Sequence, residues 1–243
     1  MTGKPSQEDV EKIAGKFEDK TAEELLSYVT SKFKGRVALA TSFSAEDSVL
    51  IDLLSSIDPD TVVFTLDTGR LPEETYTVWE ETERRYAIKI KAYHPSGKEV
   101  EELLWEKGTN SFRKSVEDRK ECCRIRKTQP LKRALNGLDA WITGLRRSQS
   151  ITRKRIMKIE VDDLNEGIIK VNPLADWTKD QVWDYLKKNK VPHNRLHDKG
   201  YPSIGCEPCT RAVKPGADIR SGRWWWESPD TKECGLHGNC KIK

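Results

Sequence analysis

No stretch of this chain stays apolar for the length a bilayer needs. The first ten residues, Met1 to Val10, offer neither an apolar core nor a small-residue cleavage site. Membrane insertion and secretion are therefore not expected, and the cytoplasm is the expected compartment. An excess of charge of one sign is also missing, since 43 basic residues against 39 acidic ones leave a formal charge of +4. The basic residues mostly alternate with acids instead of gathering on one face, which argues against a nucleic-acid-tracking surface and for a small anionic ligand. There is no internal repeat and no low-complexity linker. The 243 residues can bury a proper core and are expected to form one domain or at most two. A reducing compartment makes structural disulfides the wrong default for the six cysteines, so metal binding or catalysis becomes the leading role for them.

What is present alternates. Thr21 to Glu24 reads as a capping box ahead of Leu25, Leu26 and Tyr28, so the first thirty or so residues are expected to be helical. Short β-type runs then trade places with helical patterns: a strand over 37–40, a helix through 49–54, a strand over 62–66, a helix from Pro72 and a strand over 88–92. Further strands are expected over 140–144, 156–161 and 168–171, with a helix over 180–189. Such alternation predicts βαβ units, hence an α/β fold with a mostly parallel sheet flanked by helices. From Pro192 onward Gly, Pro, Cys and Trp replace the periodicity, as expected of a segment that wraps the domain.

Four cysteines fall into two pairs, Cys122 with Cys123 and Cys206 with Cys209. Either pair alone is ambiguous between zinc sites, redox dithiols and iron–sulfur proteins, and adjacent cysteines can also be two small buried residues. Together they favour a 4Fe-4S cluster over zinc, because adjacent thiolates can each take a separate iron corner of a cubane but crowd a single small ion. Arg119, Lys120, Arg124, Arg126 and Lys127 surround the adjacent pair and would offset the negative charge of such a cluster. In a helix, Lys127 shares a face with Cys123 and could touch both cluster and substrate.

Several longer motifs are specific. They include Ser42-Phe-Ser-Ala-Glu-Asp-Ser48, Leu66-Asp-Thr-Gly-Arg-Leu-Pro72, Gly144-Leu-Arg-Arg-Ser-Gln-Ser150 with Arg153, and Trp177 to Trp183. Nearer the C-terminus stand Gly200-Tyr-Pro-Ser-Ile-Gly-Cys206, Cys209-Thr-Arg211, Gly222-Arg-Trp-Trp-Trp-Glu227 and Lys232-Glu-Cys-Gly-Leu-His237. From about Val37 to His237 the chain resembles the thioredoxin-dependent assimilatory adenylyl-sulfate reductases, within the wider phosphoadenylyl-sulfate reductase group. The resemblance implies an adenine nucleotide α-hydrolase-like fold, a 4Fe-4S cluster on Cys122, Cys123, Cys206 and Cys209, and a nucleophile at Cys234. It implies adenylyl sulfate as substrate, AMP as product, and thioredoxin or a similar dithiol as reductant. A preference for the 3′-phosphorylated nucleotide, phosphoadenylyl sulfate, is the nearest alternative. More remote are an ATP-dependent sulfur-insertion or RNA-thiolating enzyme and a non-enzymatic iron–sulfur or zinc redox module.

Ser42 and Ser44 follow a strand and lead into a helix, where hydroxyls and backbone N–H groups can hold a phosphate. Phe43 and Ser44 stand where ATP-using relatives of this loop carry glycines, which argues against pyrophosphate release from ATP. Asp67 lies at the next strand end, where open α/β sheets place ligands, and is expected to contact adenosine. Attack by a thiolate on a polyanion calls for converging cations. Lys127, Arg146, Arg153, Arg220 and Arg223 are the candidates, with Arg147 behind them. Residues 1–223 are expected to form the nucleotide-binding domain with N-terminal helices and the iron–sulfur site, and 224–243 a mobile tail carrying Cys234. His237 is a candidate for orienting the thiol, and Cys240 for resolving its adduct by disulfide formation. The sequence leaves the oligomeric state, monomer or homo-oligomer, open.

Overall fold

The computed structural model describes residues 7–150, 153–228 and 236. Two helices, α1 (Gln7–Phe17) and α2 (Ala22–Lys32), precede β1 (Val37–Thr41). The Thr21 capping box forms as the sequence predicts, with Thr21 Oγ1 accepting from Glu24 N and Glu24 Oε2 from Thr21 N. The chain continues through α3 (Ala45–Ile57), β2 (Val62–Leu66), α4 (Glu73–Tyr86) and β3 (Lys91–Tyr93). Then come α5 (Gly97–Lys107), α6 (Val116–Cys123), α7 (Gln129–Leu135), β4 (Ala140–Ile142), β5 (Ile159–Asp162), β6 (Ile168–Val171) and α8 (Lys179–Lys188).

The six strands lie in the order β3-β2-β1-β4-β6-β5, parallel except for β5 against β6. Strand order reverses between β1 and β4, the place where open α/β sheets open a crevice at the carboxyl ends of their strands. Alternation along the strands divides the core. Val37, Leu39 and Val63 pack with α1, α2, α3 and α8, whereas Ala38, Phe64 and Trp141 pack with α7. Leu25 and Leu26 are fully buried there, and burial of each such side chain contributes about 1.5–3 kcal/mol. Among the described residues no helix is long and apolar enough to cross a membrane.

Several expectations shift: the strand expected over 156–161 begins at Ile159, and the one expected over 140–144 ends at Ile142. The strand expected over 88–92 begins only at Lys91, because α4 runs to Tyr86 and Ala87 ends it in a left-handed turn with φ 52°. Residues 88–90 are spent on the link, where Glu83 Oε1 accepts from Ile90 N at 2.8 Å. The boundary expected at 224 also moves outward: Trp224 is 1% exposed, and Glu227 is paired with Arg119 of α6. Residues 224–228 thus belong to the body, because three tryptophans and a buried ion pair dock them there.

Candidate active site

The crevice at the strand ends opens into a cavity of about 1020 Å3. Its floor is apolar, with Ala40, Phe64, Leu66, Leu131 and Trp141, and its rim carries Lys127, Arg153, Arg220 and Arg223. Apolar side chains beside clustered cations suit a purine joined to an anionic group.

The loop after β1 is held by its own acid. Asp47 Oδ2 accepts from Ser42 N at 2.7 Å, from Ser42 Oγ at 2.9 Å and from Ser44 N at 3.3 Å. Ser44 Oγ in turn accepts from Asp47 N and caps α3. A carboxylate therefore fills the amide cluster where a phosphate would otherwise sit, in line with the departure from a pyrophosphate loop at Phe43 and Ser44. Burial pushes the Asp47 carboxyl up to about 6, against the pull of the Ser42 and Ser44 hydrogen bonds. Phe43 adopts φ 57°, a left-handed conformation that is costly for a bulky residue, and its buried ring stacks on Trp79 at 5.7 Å. Trp79 stacks in turn on Tyr76, whose hydroxyl donates to Asp67, so the loops after β1 and β2 are braced against each other.

Gly144, just past β4, is required by close approach: a Cβ there would lie 2.4 Å from Asp47 Oδ1. Beside it, Arg146 donates from Nε to Glu46 Oε1 at 2.8 Å and from Nη2 to the same oxygen at 2.8 Å. The guanidinium of Arg146 borders the cavity but is committed to Glu46, Ser148 and the Trp177 carbonyl. Arg153 lies at the wall, donating to Gln149 Oε1 at 2.5 Å. Arg223 lies flat over Gly205, where a Cβ would come within 2.2 Å of its Nη2, and stacks on Trp224 at 4.9 Å.

Of the sequence candidates, Ser42, Ser44, Lys127, Arg146, Arg153, Arg220 and Arg223 all meet at this cavity. Asp67 does not line it. Its Oδ1 accepts from Gly69 N at 2.8 Å and from Tyr76 Oη at 3.0 Å, so it shapes the turn after β2. Arg147 points elsewhere, to Glu18 and the Ile156 carbonyl. Thr68, Trp183 and His197 line the cavity without having been singled out. The Trp177 to Trp183 motif was the available pointer to Trp183. Nothing in the aperiodic segment after Pro192 distinguished His197.

The four cysteines face a second, smaller cavity next door, together with Arg70, Arg126 and Lys127. Cys122 and Cys123 end α6, and the helical path continues into α7 through a π-helical turn, Arg124–Thr128. Such wider turns recur at functional sites, and here the turn carries Lys127 to the walls of both cavities. Cys206 and Cys209 flank a single 3₁₀ turn, and Thr68 Oγ1 lies 3.2 Å from Cys206 Sγ. Burial opposes ionisation of Cys206, yet Lys127, the Thr68 hydroxyl, Arg223 and Arg126 hold its thiol below the usual range. Burial and the neighbouring Cys206 push Cys209 up to about 11, and burial raises Cys122. Arg126 donates from Nη1 to the Thr68 carbonyl at 2.7 Å, while its buried Nε has no hydrogen-bond partner.

Cys234, His237 and Cys240 lie outside the described residues. Leu236 is described, and it packs at the cavity floor against the cluster containing Phe64, Leu131 and Trp141.

Residues 36–212 match the phosphoadenosine phosphosulfate reductase domain. The chain is 49% identical over 214 residues to an adenosine 5′-phosphosulfate reductase of Allochromatium vinosum, covering 88% of this chain and 83% of that one. Among solved structures it is similar to a phosphoadenylyl-sulfate reductase from Candida auris in complex with phosphate, with TM-score 0.75, 28% identity and coverage of 88% and 100%. An FMN adenylyltransferase from Candida glabrata shares the fold at 14% identity and TM-score 0.54, covering 94% of this chain and 77% of that one. With its reversal point at β1 and β4, its parallel sheet and a domain match spanning most of its length, this chain belongs to the phosphoadenosine phosphosulfate reductase family.

Proposed function

We propose that this protein reduces adenylyl sulfate to sulfite and AMP, with Cys234 as the nucleophile. The observation that carries this reading is the single cavity in which an apolar floor, Lys127, Arg153, Arg220 and Arg223 meet Leu236. Leu236 stands two residues after Cys234 in the sequence. Relatives near 50% identity bear the adenosine 5′-phosphosulfate reductase name, which favours this substrate over the 3′-phosphorylated one.

In the first step the Cys234 thiolate attacks the sulfonyl sulfur, an S–S bond forms, the S–O bond to the phosphate breaks, and AMP leaves with the electron pair. Two unit charges 4 Å apart repel by about 4 kcal/mol at an effective dielectric near 20. Lys127, Arg153, Arg220 and Arg223 offset that repulsion and the charge gathering on the departing phosphate. In the second step a dithiol such as thioredoxin attacks Cys234 Sγ, sulfite departs, and the second thiol of the donor releases Cys234 as the donor becomes a disulfide. A reducing compartment such as the cytoplasm supplies that dithiol.

The residues lining the second cavity support a 4Fe-4S cluster as the cofactor. Four thiols border one space ringed by Arg70, Arg126 and Lys127, and the unpartnered buried Nε of Arg126 calls for an anionic neighbour. Thiols distributed around a cavity match the separate corners of a cubane. Cys122, Cys123, Cys206 and Cys209 would hold it, and its charge would be shared with Lys127. Iron and acid-labile sulfide in protein purified without oxygen test the cluster. Sulfite release measured with adenylyl sulfate and with phosphoadenylyl sulfate tests the substrate: a higher kcat/KM for the first supports the reading, and a higher value for the second overturns it.

A further inference from the structure

The chemistry above uses Lys127, Arg153, Arg220 and Arg223, yet further cations border the same cavity. Lys179 and Lys187 come from α8, Lys190 from the turn that ends it, and Lys214 from the segment between Cys209 and Trp224. The part of α8 that lines the cavity is Lys179, Trp183, Leu186 and Lys187, the i, i+4, i+7 and i+8 positions of one helix face. Asp180 and Asp184, which would cancel this charge, are not among the lining residues. Lys190 closes the helix in a left-handed conformation, φ 53°, with its N–H on the Lys187 carbonyl. Glycine is the usual residue at such a position, so the sequence places a cation where the backbone favours none. All four lysines are exposed, and none forms an ion pair with a described residue. Lys199, which does not line the cavity, is instead spent on Glu74 at 2.8 Å.

The lysines concentrate a field that the whole chain lacks. Nine Lys and Arg side chains line the cavity against three acids, whereas the full sequence carries an excess of only four. The three acids are already engaged: Glu46 by Arg146, Asp47 by the Ser42 and Ser44 amides, and Asp198 with its Oδ2 3.6 Å from His193 Nε2. Like charges around a cleft with apolar walls focus field lines and raise the local concentration of opposite charge. The effect reaches across a Debye length, about 8–10 Å at moderate salt, so it requires no contact between an ammonium group and the ligand. Charges at a rim change the association rate and its salt dependence more than the dissociation rate.

We propose that Lys179, Lys187, Lys190 and Lys214 form an electrostatic entry ramp that draws anionic nucleotides into the cavity, sets their association rate and favours them over neutral nucleosides. This rests on the reading above, in which that cavity holds an adenine nucleotide. It assigns the lysines to capture, apart from the cations that meet the reacting group.

The test follows AMP and adenosine binding to the full chain by stopped-flow tryptophan fluorescence, since Trp141 and Trp183 line the cavity. Wild type is compared with a variant carrying Lys179→Gln, Lys187→Gln, Lys190→Gln and Lys214→Gln. A control carries Lys12→Gln, Lys34→Gln, Lys89→Gln and Lys98→Gln, four exposed positions that line neither cavity. At low ionic strength the ramp variant should take up AMP about tenfold more slowly than wild type, within the range that focused fields give. Its AMP dissociation rate should stay within about twofold of wild type, and its association rate should depend less on salt. Adenosine, which carries no charge, should bind all three proteins alike, and this also shows that the ramp variant is folded. The control should take up AMP as wild type does. Unchanged AMP association in the ramp variant, or an equal slowing in the control, would overturn the assignment and leave the reductase reading standing. Unchanged AMP association with slower reduction of the sulfonated enzyme by thioredoxin would also overturn it, giving the lysine face to an acidic protein instead. A wild-type protein that bound no AMP would remove both.

Discussion

Cutting the ion pair between Arg119 and Glu227 should loosen the segment that leads toward Cys234. Arg119 Nε and Nη2 donate to Glu227 Oε1 and Oε2, each at 2.9 Å, and the two side chains are 1% and 3% exposed. The guanidinium also sits 4.7 Å from the ring centre of Trp224. Glu227→Ala leaves a buried cation facing an empty acceptor site, a loss of about 3–5 kcal/mol. Glu227→Gln keeps the volume and one acceptor, so its cost should be smaller, about 1.5–3 kcal/mol. The double variant Arg119→Met with Glu227→Leu removes both charges and should fall within about 1–2 kcal/mol of wild type, because a buried pair contributes little net stability over apolar packing. Urea unfolding is the assay. With a slope of about 2–3 kcal/mol/M, Glu227→Ala should lower the midpoint by about 1–2 M and leave the slope unchanged. A Glu227→Ala midpoint equal to that of wild type would refute this reasoning, as would a double variant no more stable than Glu227→Ala.

Three further outcomes are expected. Asp47 has a carboxyl pKa of about 6 in the folded protein, above the usual value of 3.8, so its contribution to stability is fully present below pH 3.8 and lost as pH rises through 6. That loss amounts to about 3 kcal/mol, and unfolding measured between pH 4 and pH 7 should show it in wild type and not in Asp47→Asn. Lys127→Gln should lower kcat/KM by about a hundredfold or more and also weaken AMP binding, since the charge that gathers on the departing phosphate stays on AMP; sulfite release and AMP calorimetry measure the two. Gly205→Ala pushes its Cβ into the guanidinium of Arg223. Because the far end of a flexible side chain gives way, the melting temperature should change little while sulfite release drops, and a normal rate would show that Arg223 works from another position.

Most of the sheet was legible because strands covered on both faces read as short apolar runs, as at β1, β2 and β6. The helices α5, α6 and α7 carried weaker signals. In α6 the apolar stripe is replaced by Arg119, Cys122 and Cys123, residues whose burial depends on an ion pair and on thiol chemistry. The π-helical turn leaves no mark in sequence spacing, yet it sets where Lys127 points. The cation set was readable as a class, but not how each charge is spent. Glu46 lies a hundred positions from Arg146 and claims its guanidinium, and only the approach of the β1 and β4 loops at Gly144 brings the two together. Nor was it readable that one oxygen of Asp67 is spent on its own turn and on Tyr76.

The most direct measurement is the intact and peptide-level mass of the protein after incubation with adenylyl sulfate and no reductant. One sulfonate should appear, on the peptide holding Cys234, and vanish when thioredoxin is added with release of sulfite. No adduct on that peptide while sulfite still forms with reductant, or undiminished sulfite release from Cys234→Ser, would contradict nucleophilic attack by this cysteine.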